Sequence, residues 1–385
     1  MTALQGSIAV IHDMPEEGWP SMDQMGHLLT TRLPAVAPGL AVTPIRHRMT
    51  RVFSPGPLAH VRPLFSADRA LNRLVLYPRK MKQVAGARFD IFHIVDHSYA
   101  QLALELPAGR TIVSCHDVDT FRSVVDPDQD PRGPLFKLMT RHIADGLRRA
   151  ALIVCVSQAA HDDLVRFNLA DPRRLRVVPN GIDPALLEEP PAAARARAAE
   201  LLPPQRGVFD VLHVGSDIPR KRLDRLVEIV SMLHKRGHWI RLVRVGSALR
   251  HATRQRMLEL SLGDVVELPF VERDVLRALY ERCDLLLLTS DREGYGLPVL
   301  EAFAAGKPVV ASDIPALRES SGGLARVVPP DSLHHWVAAI EDVLRAGDPT
   351  GALAAERRAH AAARTWDAHV RGLLPVYAEL LGQGG

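Results

Sequence analysis

Short apolar runs alternate with longer amphipathic stretches along the whole chain. The short runs are too brief for buried helices, and most end at Asp, Ser, Asn or Gly, which favours β-strands. Apolar residues between them recur at helical spacing, as in Leu223, Leu226 and Val230, which predicts connecting helices. The predicted strands form two series, residues 7–12, 40–45, 89–95, 111–115, 152–156 and 175–178, and then residues 208–214, 240–245, 265–268, 285–288, 308–311 and 326–328.

Two consecutive series of strand–helix alternation predict an α/β protein with two doubly wound, Rossmann-like parallel sheets. The boundary follows the turn at Asn180-Gly181, because residues 188–204 are rich in Pro, Ala and charge and show no strand pattern. We therefore expect one domain over residues 1–185 and another over residues 186–365. Ligands of such open sheets bind at the carboxyl ends of the strands, so two facing sheets predict a shared cleft.

The length and composition agree with this organisation. A chain of 385 residues is too long for one hydrophobic core, and 47% apolar with 24% charged residues is typical of a soluble globular protein. No apolar run reaches the roughly 18 residues of a membrane-spanning helix, and the run at residues 8–11 is too short for a signal peptide. Cys115, Cys155 and Cys283 show no paired spacing, which indicates core thiols in a reducing compartment. We expect a cytoplasmic protein.

The charge is modest overall but unevenly distributed. A formal net charge of +4 does not require a nucleic-acid partner. Residues 46–82, however, contain nine Lys or Arg and one acid, Asp68, interleaved with apolar residues such as Phe53, Leu64 and Phe65. Such a stretch favours contact with an anionic membrane or a polyanion, or it is a solvated region of a chain that uses Arg in place of Lys.

The most informative segment is residues 290–313, SDREGYGLPVLEAFAAGKPVVASD. A predicted strand leads into residues 293–296, and Leu297-Pro298 then opens a helix with proline in its first turn. The glycines let the backbone approach a bound group, and the free N–H groups of the helix start favour an anion. Glu293 lies in the loop and Glu301 in the helix, so one carboxylate can bind sugar hydroxyls and the other a ribose. The alternative is a strand–loop–helix unit with surface acids.

Two cations, Arg220 and Lys221, lie where a helix is predicted to begin after Gly215-Ser216. Cations at a helix N-terminus oppose its dipole at a cost of about 0.3–1 kcal/mol each. Their placement is explained if a phosphate occupies the gap and binds both cations and the helix end. Otherwise they form a solvated basic turn.

Residues 293–319, EGYGLPVLEAFAAGKPVVASDIPALRE, resemble the signature of glycosyltransferase family 4, retaining enzymes with the GT-B fold. The resemblance extends over nearly the whole chain, since VVPNGID at residues 177–183 matches the approach to the interdomain linker and HVGSDIPRKRLDRLVE at residues 213–228 matches the start of the donor domain. Residues 366–381 are similar to the helix that crosses back onto the N-terminal domain. The resemblance implies an acceptor-side domain of residues 1–185 completed by a crossover helix within 366–385, and a donor-binding domain of residues 186–365.

The resemblance also implies roles for individual residues. Arg220 and Lys221 would hold the donor diphosphate, and Phe270 and Val271 fall where the family packs the nucleobase. His116 would touch the transferred sugar, unless it is only a hydrogen-bonded residue at a strand end. The implied donor-binding residues are Gly215, Arg220, Lys221, Phe270, Val271, Glu293, Gly294, Tyr295, Gly296, Leu297 and Glu301, and the implied catalytic residues are His116, Glu293, Arg220 and Lys221.

Three further features are less specific. Asp117-Val118-Asp119 spells the metal-binding DxD motif of a different glycosyltransferase fold, but it lies in the first predicted domain, away from the donor features, so we interpret it as chance. Residues 96–99 either line the acceptor side or cap a helix. Residues 13–22 depart from the family, which usually has a Gly-Gly pair there, because only Gly18 is present. Zinc-ligand spacing, a P-loop and GxGxxG are absent from the sequence, and we expect no metal.

These features predict a retaining, metal-independent glycosyltransferase that moves a hexose-type sugar. Its donor would be a UDP- or GDP-sugar, with no further cofactor, and its acceptor a glycan or a lipid-linked hydroxyl in cell-surface glycan or glycolipid assembly. We expect no nucleic-acid partner, and a cytoplasmic enzyme that visits the inner face of the membrane. The alternatives are a sugar-nucleotide epimerase of the same fold and a polyanion-binding protein, the latter disfavoured by an aromatic content of only 5%.

Overall fold

The computed structural model describes residues 4–347 and 351–382. The chain divides into two compact units. Unit 1 comprises Met1–Pro179 together with Trp366–Gly385, and unit 2 comprises Asn180–Thr365. The sequence prediction had placed the boundary at residue 185.

Unit 1 contains a six-stranded sheet in which every pairing is parallel. The strand order is β2-β1-β3-β4-β5-β6, and the central strands β3 and β4 are buried along their whole length. Burial on both faces explains why these strands appear in the sequence as continuous apolar runs. The strands are β1 (Gly6–Ile11), β2 (Leu40–Ile45), β3 (Ile91–Ile94), β4 (Thr111–Cys115), β5 (Leu152–Cys155) and β6 (Leu175–Val177).

The helices of unit 1 cover this sheet, and one of them comes from the far end of the sequence. In that helix, α15, the Tyr377 hydroxyl lies 2.8 Å from His93 Nδ1 of β3, and both side chains are buried. The helices are α1 (Pro20–Val36), α2 (Arg62–Leu71), α3 (Tyr77–Ala85), α4 (Arg122–Val125), α5 (Pro134–Arg149), α6 (Gln158–Arg166) and α15 (Trp366–Leu381).

Unit 2 repeats the architecture with the strand order β12-β11-β10-β7-β8-β9, again all parallel. The strands are β7 (Phe209–Val214), β8 (Ile240–Val245), β9 (Val265–Leu268), β10 (Leu285–Leu288), β11 (Val309–Ser312) and β12 (Arg326–Val328). The helices are α7 (Ala192–Leu201), α8 (Leu223–Lys235), α9 (His251–Glu259), α10 (Arg273–Arg282), α11 (Leu297–Ala304), α12 (Pro315–Ser321), α13 (Leu333–Ala346) and α14 (Ala352–Ala362).

The predicted fold class is confirmed, because each of the twelve predicted strands forms and no strand end differs from the prediction by more than two residues. Parallel strands place all their carboxyl ends at one edge of a sheet, so each unit has one edge where the loops after its strands gather. Within the described ranges, no helix is long and apolar enough to cross a membrane. The same ranges contain no group of three or more His, Cys, Asp or Glu that could hold a metal ion.

Candidate functional site

The loop after β7 carries the two predicted phosphate-binding cations. Arg220 and Lys221 lie in a 3₁₀ turn, Pro219–Lys221, and α8 begins only at Leu223. The cations therefore precede the helix, whereas the sequence had placed them at its start. Arg222 adopts the left-handed backbone conformation, with φ of 50°, and connects the 3₁₀ turn to α8. Because the cations lie outside the first helical turn, the helix dipole opposes them less than expected.

Glu293 of the loop after β10 binds these cations directly. Lys221 Nζ lies 2.5 Å from Glu293 Oε1, and Arg220 Nη1 lies 3.4 Å from Oε2. The Ser290 hydroxyl donates to Oε1 at 2.6 Å. Burial alone would raise the pKa of Glu293, but Lys221 and Arg220 outweigh it and hold that pKa below its usual value. The carboxylate is thus ionised, and both of its oxygens accept hydrogen bonds.

Further hydrogen bonds fasten the two loops together. The Thr289 hydroxyl donates to the carbonyls of Lys221 and Arg222, both at 3.0 Å. The Asp291 amide donates to the Arg220 carbonyl at 2.8 Å, and its carboxylate accepts from the buried Arg225 at 3.0 Å. These contacts fix the backbone on which Arg220 and Lys221 are mounted, which favours a preorganised site.

Glycines end two adjacent strands of unit 2. Gly215 follows β7 with φ of 148°, and Gly246 follows β8 with φ of 154°. A Cβ on Gly246 would lie 1.9 Å from the Gly215 carbonyl oxygen, which no side chain can do. The two turns therefore pack backbone against backbone, and a glycine is required at position 246 for this approach.

The predicted donor loop 294–297 leads directly into α11. Gly296, with φ of 94°, is the N-cap, and Leu297 is the first helical residue. Gly294 is half-buried in the loop. Tyr295 is buried, and burial raises its pKa to about 12. The Tyr295 side chain therefore anchors the loop inward.

Glu301 lies inside α11 and is held by a residue that the sequence did not suggest. The buried Tyr280 of α10 donates its hydroxyl to Glu301 Oε2 at 2.8 Å. Burial raises the pKa of Glu301, and the Tyr280 hydroxyl and the Arg273 charge limit the rise. Glu293 and Glu301 are thus supported by separate partners.

The predicted nucleobase residues lie at the same sheet edge, in the loop between β9 and α10. Phe270 is 55% exposed, and Val271 is half-buried. Phe270 therefore offers an accessible apolar surface of the kind that a base can pack against.

In unit 1, His116 follows β4 and is almost fully buried. Its Nε2 donates to the Val95 carbonyl at 2.8 Å, which leaves Nδ1 as the ring acceptor. Burial lowers the pKa of His116 against the opposing pull of Asp96, so the ring is neutral at pH 7. The backbone amide of His116 donates to His97 Nδ1 at 3.2 Å.

The acidic residues near His116 have local partners. Asp96 caps a 3₁₀ helix, His97–Glu105, by accepting from the Ser98 amide at 2.9 Å. Asp117 accepts from the Asp119 amide at 2.9 Å and lies 3.5 Å from His97 Nε2. The DxD residues therefore form a turn at the end of β4.

The basic stretch of residues 46–82 is only partly surface. Asp68 is buried and accepts hydrogen bonds from the backbone amides of Val52, Phe53 and Ser54. Arg73 is also buried, with both Nε and Nη2 bound to Glu17. Glu17 belongs to the first loop, so this ion pair attaches residues 13–22 to the basic stretch.

Comparisons with known proteins match both units. The family described as "Glycosyl transferases group 1" matches residues 199–365, and "Glycosyltransferase Family 4" matches residues 26–186. Together the two matches cover most of the chain. The chain belongs to glycosyltransferase family 4.

Solved structures show the GT-B fold predicted for this family 4 protein. A sucrose-phosphate synthase from Thermosynechococcus elongatus superposes with a TM-score of 0.75 at 20% identity, covering 98% of this chain and all of that one. Anabaena HepE in complex with UDP and glucose gives a TM-score of 0.73 at 18% identity over 97% of this chain and all of that one.

Two named relatives each match this chain over about half of their own length. The D-inositol 3-phosphate glycosyltransferase of Salinispora arenicola is 33% identical over 253 residues, which are 60% of this chain and 56% of that protein. The MMP alpha-(1->4)-mannosyltransferase of Mycolicibacterium hassiacum is 29% identical over 206 residues, which are 51% of this chain and 46% of that protein. The chain thus spans about half the length of the curated relatives it matches.

The structure unites some of the predicted family 4 residues and leaves others apart. Arg220, Lys221 and Glu293 form one ion-paired group. Phe270 follows β9 and Glu301 lies in α11, so both belong to the same edge of the unit 2 sheet. Sequence reasoning missed Tyr280, which has the same helical spacing as the core residues around it. It also missed Arg244, although a charge within a buried strand was a visible signal.

Proposed function

We propose that the chain is a retaining glycosyltransferase that moves a hexose-type sugar from a UDP- or GDP-sugar to an acceptor hydroxyl. The observation that supports this most directly is the group of Arg220, Lys221, Glu293 and Ser290 at the carboxyl edge of the unit 2 sheet. It combines cations for a diphosphate with a carboxylate for sugar hydroxyls, directly before the N-terminus of α11. The names of the relatives, an inositol-phosphate glycosyltransferase and a mannosyltransferase, agree with this chemistry.

In the proposed reaction, the bond between the sugar's anomeric carbon and the diphosphate oxygen breaks as the acceptor oxygen bonds that carbon from the same face. The acceptor's proton passes to the leaving phosphate oxygen. Arg220 and Lys221 would stabilise the charge that grows on the diphosphate. Glu293 is engaged by two cations and a hydroxyl, which makes it a poor nucleophile. This favours the same-face path over a covalent enzyme intermediate.

The remaining roles follow from the same proposal. Glu301, fixed by Tyr280, would accept hydrogen bonds from the ribose hydroxyls. Phe270 and Val271 would pack against the base, and the neutral His116 would present Nδ1 to the transferred sugar. Because Arg220 and Lys221 supply positive charge at the diphosphate, we propose that no divalent metal and no further cofactor are needed.

Binding and product analysis test this function. Thermal shift with UDP and GDP should show stabilisation by one of them, with a dissociation constant in the micromolar range typical of enzyme substrates. With the matching donor, the anomeric configuration of the product, read by NMR, should equal that of the donor, and excess EDTA should leave the rate unchanged. An inverted product, or a rate abolished by EDTA and restored by Mg²⁺, would contradict the mechanism. A changed free sugar nucleotide without acceptor would identify an epimerase, and binding of polyanions but no nucleotide would identify a polyanion-binding protein.

We further propose that the acceptor is lipid-linked or part of a growing cell-surface glycan and that unit 1 docks on the inner face of an anionic membrane. Within residues 46–82, the apolar side chains of Val52, Phe53, Leu58 and Val61 are exposed. Exposed cations accompany them, namely Arg46, Arg48, Arg51, Arg62, Arg79 and Lys82. Each cation near an anionic surface contributes about 1 kcal/mol, so a few on one face suffice for reversible docking.

Co-sedimentation with anionic and neutral vesicles over a salt series tests the docking. The variant Arg51→Glu/Arg62→Glu should lose binding to anionic vesicles. The control Arg88→Glu/Arg149→Glu changes the same charge at exposed positions of unit 1 outside the stretch, and it should bind nearly as well as the wild type. Equal losses in both variants, or no binding at low salt, would leave a soluble acceptor as the better proposal.

A further inference from the structure

A buried arginine of unit 2 has no acidic partner. Arg244 lies in β8, and only 2% of its surface is exposed. Its Nη2 donates to the Gly215 carbonyl at 3.1 Å, and its Nε has no hydrogen-bond partner. Among the residues that the structure describes, no carboxylate lies within ion-pair distance of it.

This arrangement is unusual because a buried charge is costly unless it is paired. The nearest acids are committed elsewhere: Asp217 binds Arg250 at 3.0 Å, and Glu267 binds Arg254 at 2.9 Å. Arg241, three residues earlier on the same strand and equally buried, shows the ordinary solution, since Asp210 accepts its Nε and Nη2 at 2.6 and 2.8 Å. Among the described residues, Arg244 therefore has no ion-pair partner of its own, and Asp217 and Glu267 favour its charge only from a longer distance.

Arg244 lies beside the cation group already described. It is directly opposite His213 in the β7–β8 register, and it holds the carbonyl of Gly215, next to which the Lys221 side chain passes. The pKa of His213 falls to about 4, chiefly through burial, and it responds to the charges of Lys221, Arg244 and Glu293 together. The side chains of Arg244, Lys221 and His213 thus all border the Gly215 turn.

The charges of this group are unbalanced without Arg244. Glu293 neutralises one of the two cations Arg220 and Lys221, so the three leave a single positive charge. Each phosphate of a nucleoside diphosphate sugar carries a negative charge. One further cation would raise the charge of the group to two, which matches the two negative charges of the diphosphate.

We propose that Arg244 is that cation, a third diphosphate-binding residue whose missing acidic partner is the donor's diphosphate. This rests on the proposed function, since it takes the nucleotide-sugar donor as the ligand. It accounts for an arginine without an ion-pair partner at a buried position of a parallel strand. A guanidinium also suits phosphate better than an ammonium, because it can donate two parallel hydrogen bonds.

The variant Arg244→Met tests the proposal, with UDP, GDP and inorganic pyrophosphate as probes in calorimetry over a salt series. Methionine fills a similar volume without charge. We expect at least a tenfold loss of affinity for the nucleotide and for pyrophosphate alike, with a shallower salt dependence because one phosphate contact is gone. The melting temperature without nucleotide should stay equal or rise, since an uncompensated buried charge has been removed.

Two conservative variants and one control separate charge from structure. Arg244→Gln keeps a donor for the Gly215 carbonyl without charge and should bind as weakly as Arg244→Met, whereas Arg244→Lys should recover part of the affinity. Arg254→Met removes a nearby cation already paired with Glu267 and should bind normally.

Full affinity in Arg244→Met, or recovery by Gln but not by Lys, would show that Arg244 only supports the Gly215 turn and would overturn the proposal. An equal loss of nucleotide affinity in Arg254→Met would show that any nearby positive charge strengthens binding. That result would overturn the proposal as well. A wild-type chain that binds none of the three probes would instead refute the proposed function, so the two failures are distinguishable.

Discussion

At the scale of single residues, Glu293 controls how much positive charge the site presents. Its carboxylate binds Lys221 and Arg220, and Glu293→Gln would keep its shape while releasing that charge. We expect free UDP or GDP to bind about tenfold more tightly, which corresponds to about 1.4 kcal/mol. Turnover should fall, because the carboxylate proposed to orient the sugar is gone.

Calorimetry and steady-state kinetics measure the two effects separately. Glu341→Gln is the matched control, since it removes a carboxylate of unit 2 that pairs with Arg236 and His238 instead. Weaker nucleotide binding in Glu293→Gln would contradict the role of Glu293 as an internal counterion.

Tyr280→Phe tests whether the hydroxyl of Tyr280 keeps Glu301 ionised and in place. Burial raises the pKa of Glu301 and the Tyr280 hydroxyl lowers it, so the variant should raise that pKa further. Glu301 must be ionised to bind ribose as proposed, so nucleotide affinity should fall as the pH is lowered. In Tyr280→Phe this fall in affinity should begin at a higher pH than in the wild type. At neutral pH we expect a loss of about 0.5–1.5 kcal/mol for the missing hydrogen bond.

The control for this variant is Tyr377→Phe, which removes another buried tyrosine hydroxyl, bonded to His93 in unit 1. It should lower stability similarly without changing the pH profile of nucleotide binding. Identical pH profiles for Tyr280→Phe and the wild type would rule out the positioning role.

Residue identities could be predicted from the sequence only where a motif specifies them. Glu293, Arg220 and Lys221 came from the pattern around Gly215 and Gly296, and the structure places them together. Tyr280 could not be found this way, because a tyrosine at core spacing looks the same whether its hydroxyl binds a carboxylate or water. Its role depends on α10 packing beside α11, which is a tertiary fact.

At the scale of elements, the turns after β7 and β8 are tightly packed against each other. Gly246→Ala would bring a Cβ within 1.9 Å of the Gly215 oxygen, so the loop carrying Arg220 and Lys221 must move. We expect a loss of stability of about 2–4 kcal/mol and a strong loss of nucleotide binding. Gly263→Ala is the control, because its Cβ would meet nothing within 4 Å. Denaturant unfolding and calorimetry check both effects, and a neutral Gly246→Ala would disprove the close approach.

The strands were predictable because burial on both faces leaves a continuous apolar run, as in Leu285–Leu288. The 3₁₀ segments were not. His97–Glu105 depends on the Asp96 cap and on packing, and Pro219–Lys221 depends on a left-handed Arg222. Neither segment produces a periodic pattern of apolar residues. From the sequence alone, α8 was therefore expected to begin at Arg220 and Lys221 and not after them.

At the scale of the whole molecule, the two units should differ in acid sensitivity. Burial is the main cause that lowers the pKa of His93 to about 3 and those of His12 and His369 to about 4, all in unit 1. In unit 2, His213 falls to about 4 for the same main reason. An unfolded chain binds these protons near pH 6.5, so stability is lost as the pH falls from about 6.5 toward 4, by up to about 1.4 kcal/mol per pH unit for each histidine.

Unit 1 should therefore weaken first on acidification. Hydrogen exchange at pH 7, 6 and 5, resolved by segment, measures this, and His93→Gln should flatten the dependence in unit 1 by about one proton. Equal weakening of both units, or no change in slope for the variant, would contradict the assignment.

The order in which the two units follow each other along the chain has a consequence for its synthesis. Unit 1 is made of two separate pieces, and α15, which brings Tyr377 against His93, follows all of unit 2 in the sequence. A ribosome delivers residues in order, and domains fold as they emerge. Unit 2 is continuous and can close its core while unit 1 still lacks its last helix. During translation the first piece of unit 1 therefore remains without α15. Until that helix is synthesised, the apolar surface that it covers is accessible to chaperones and proteases.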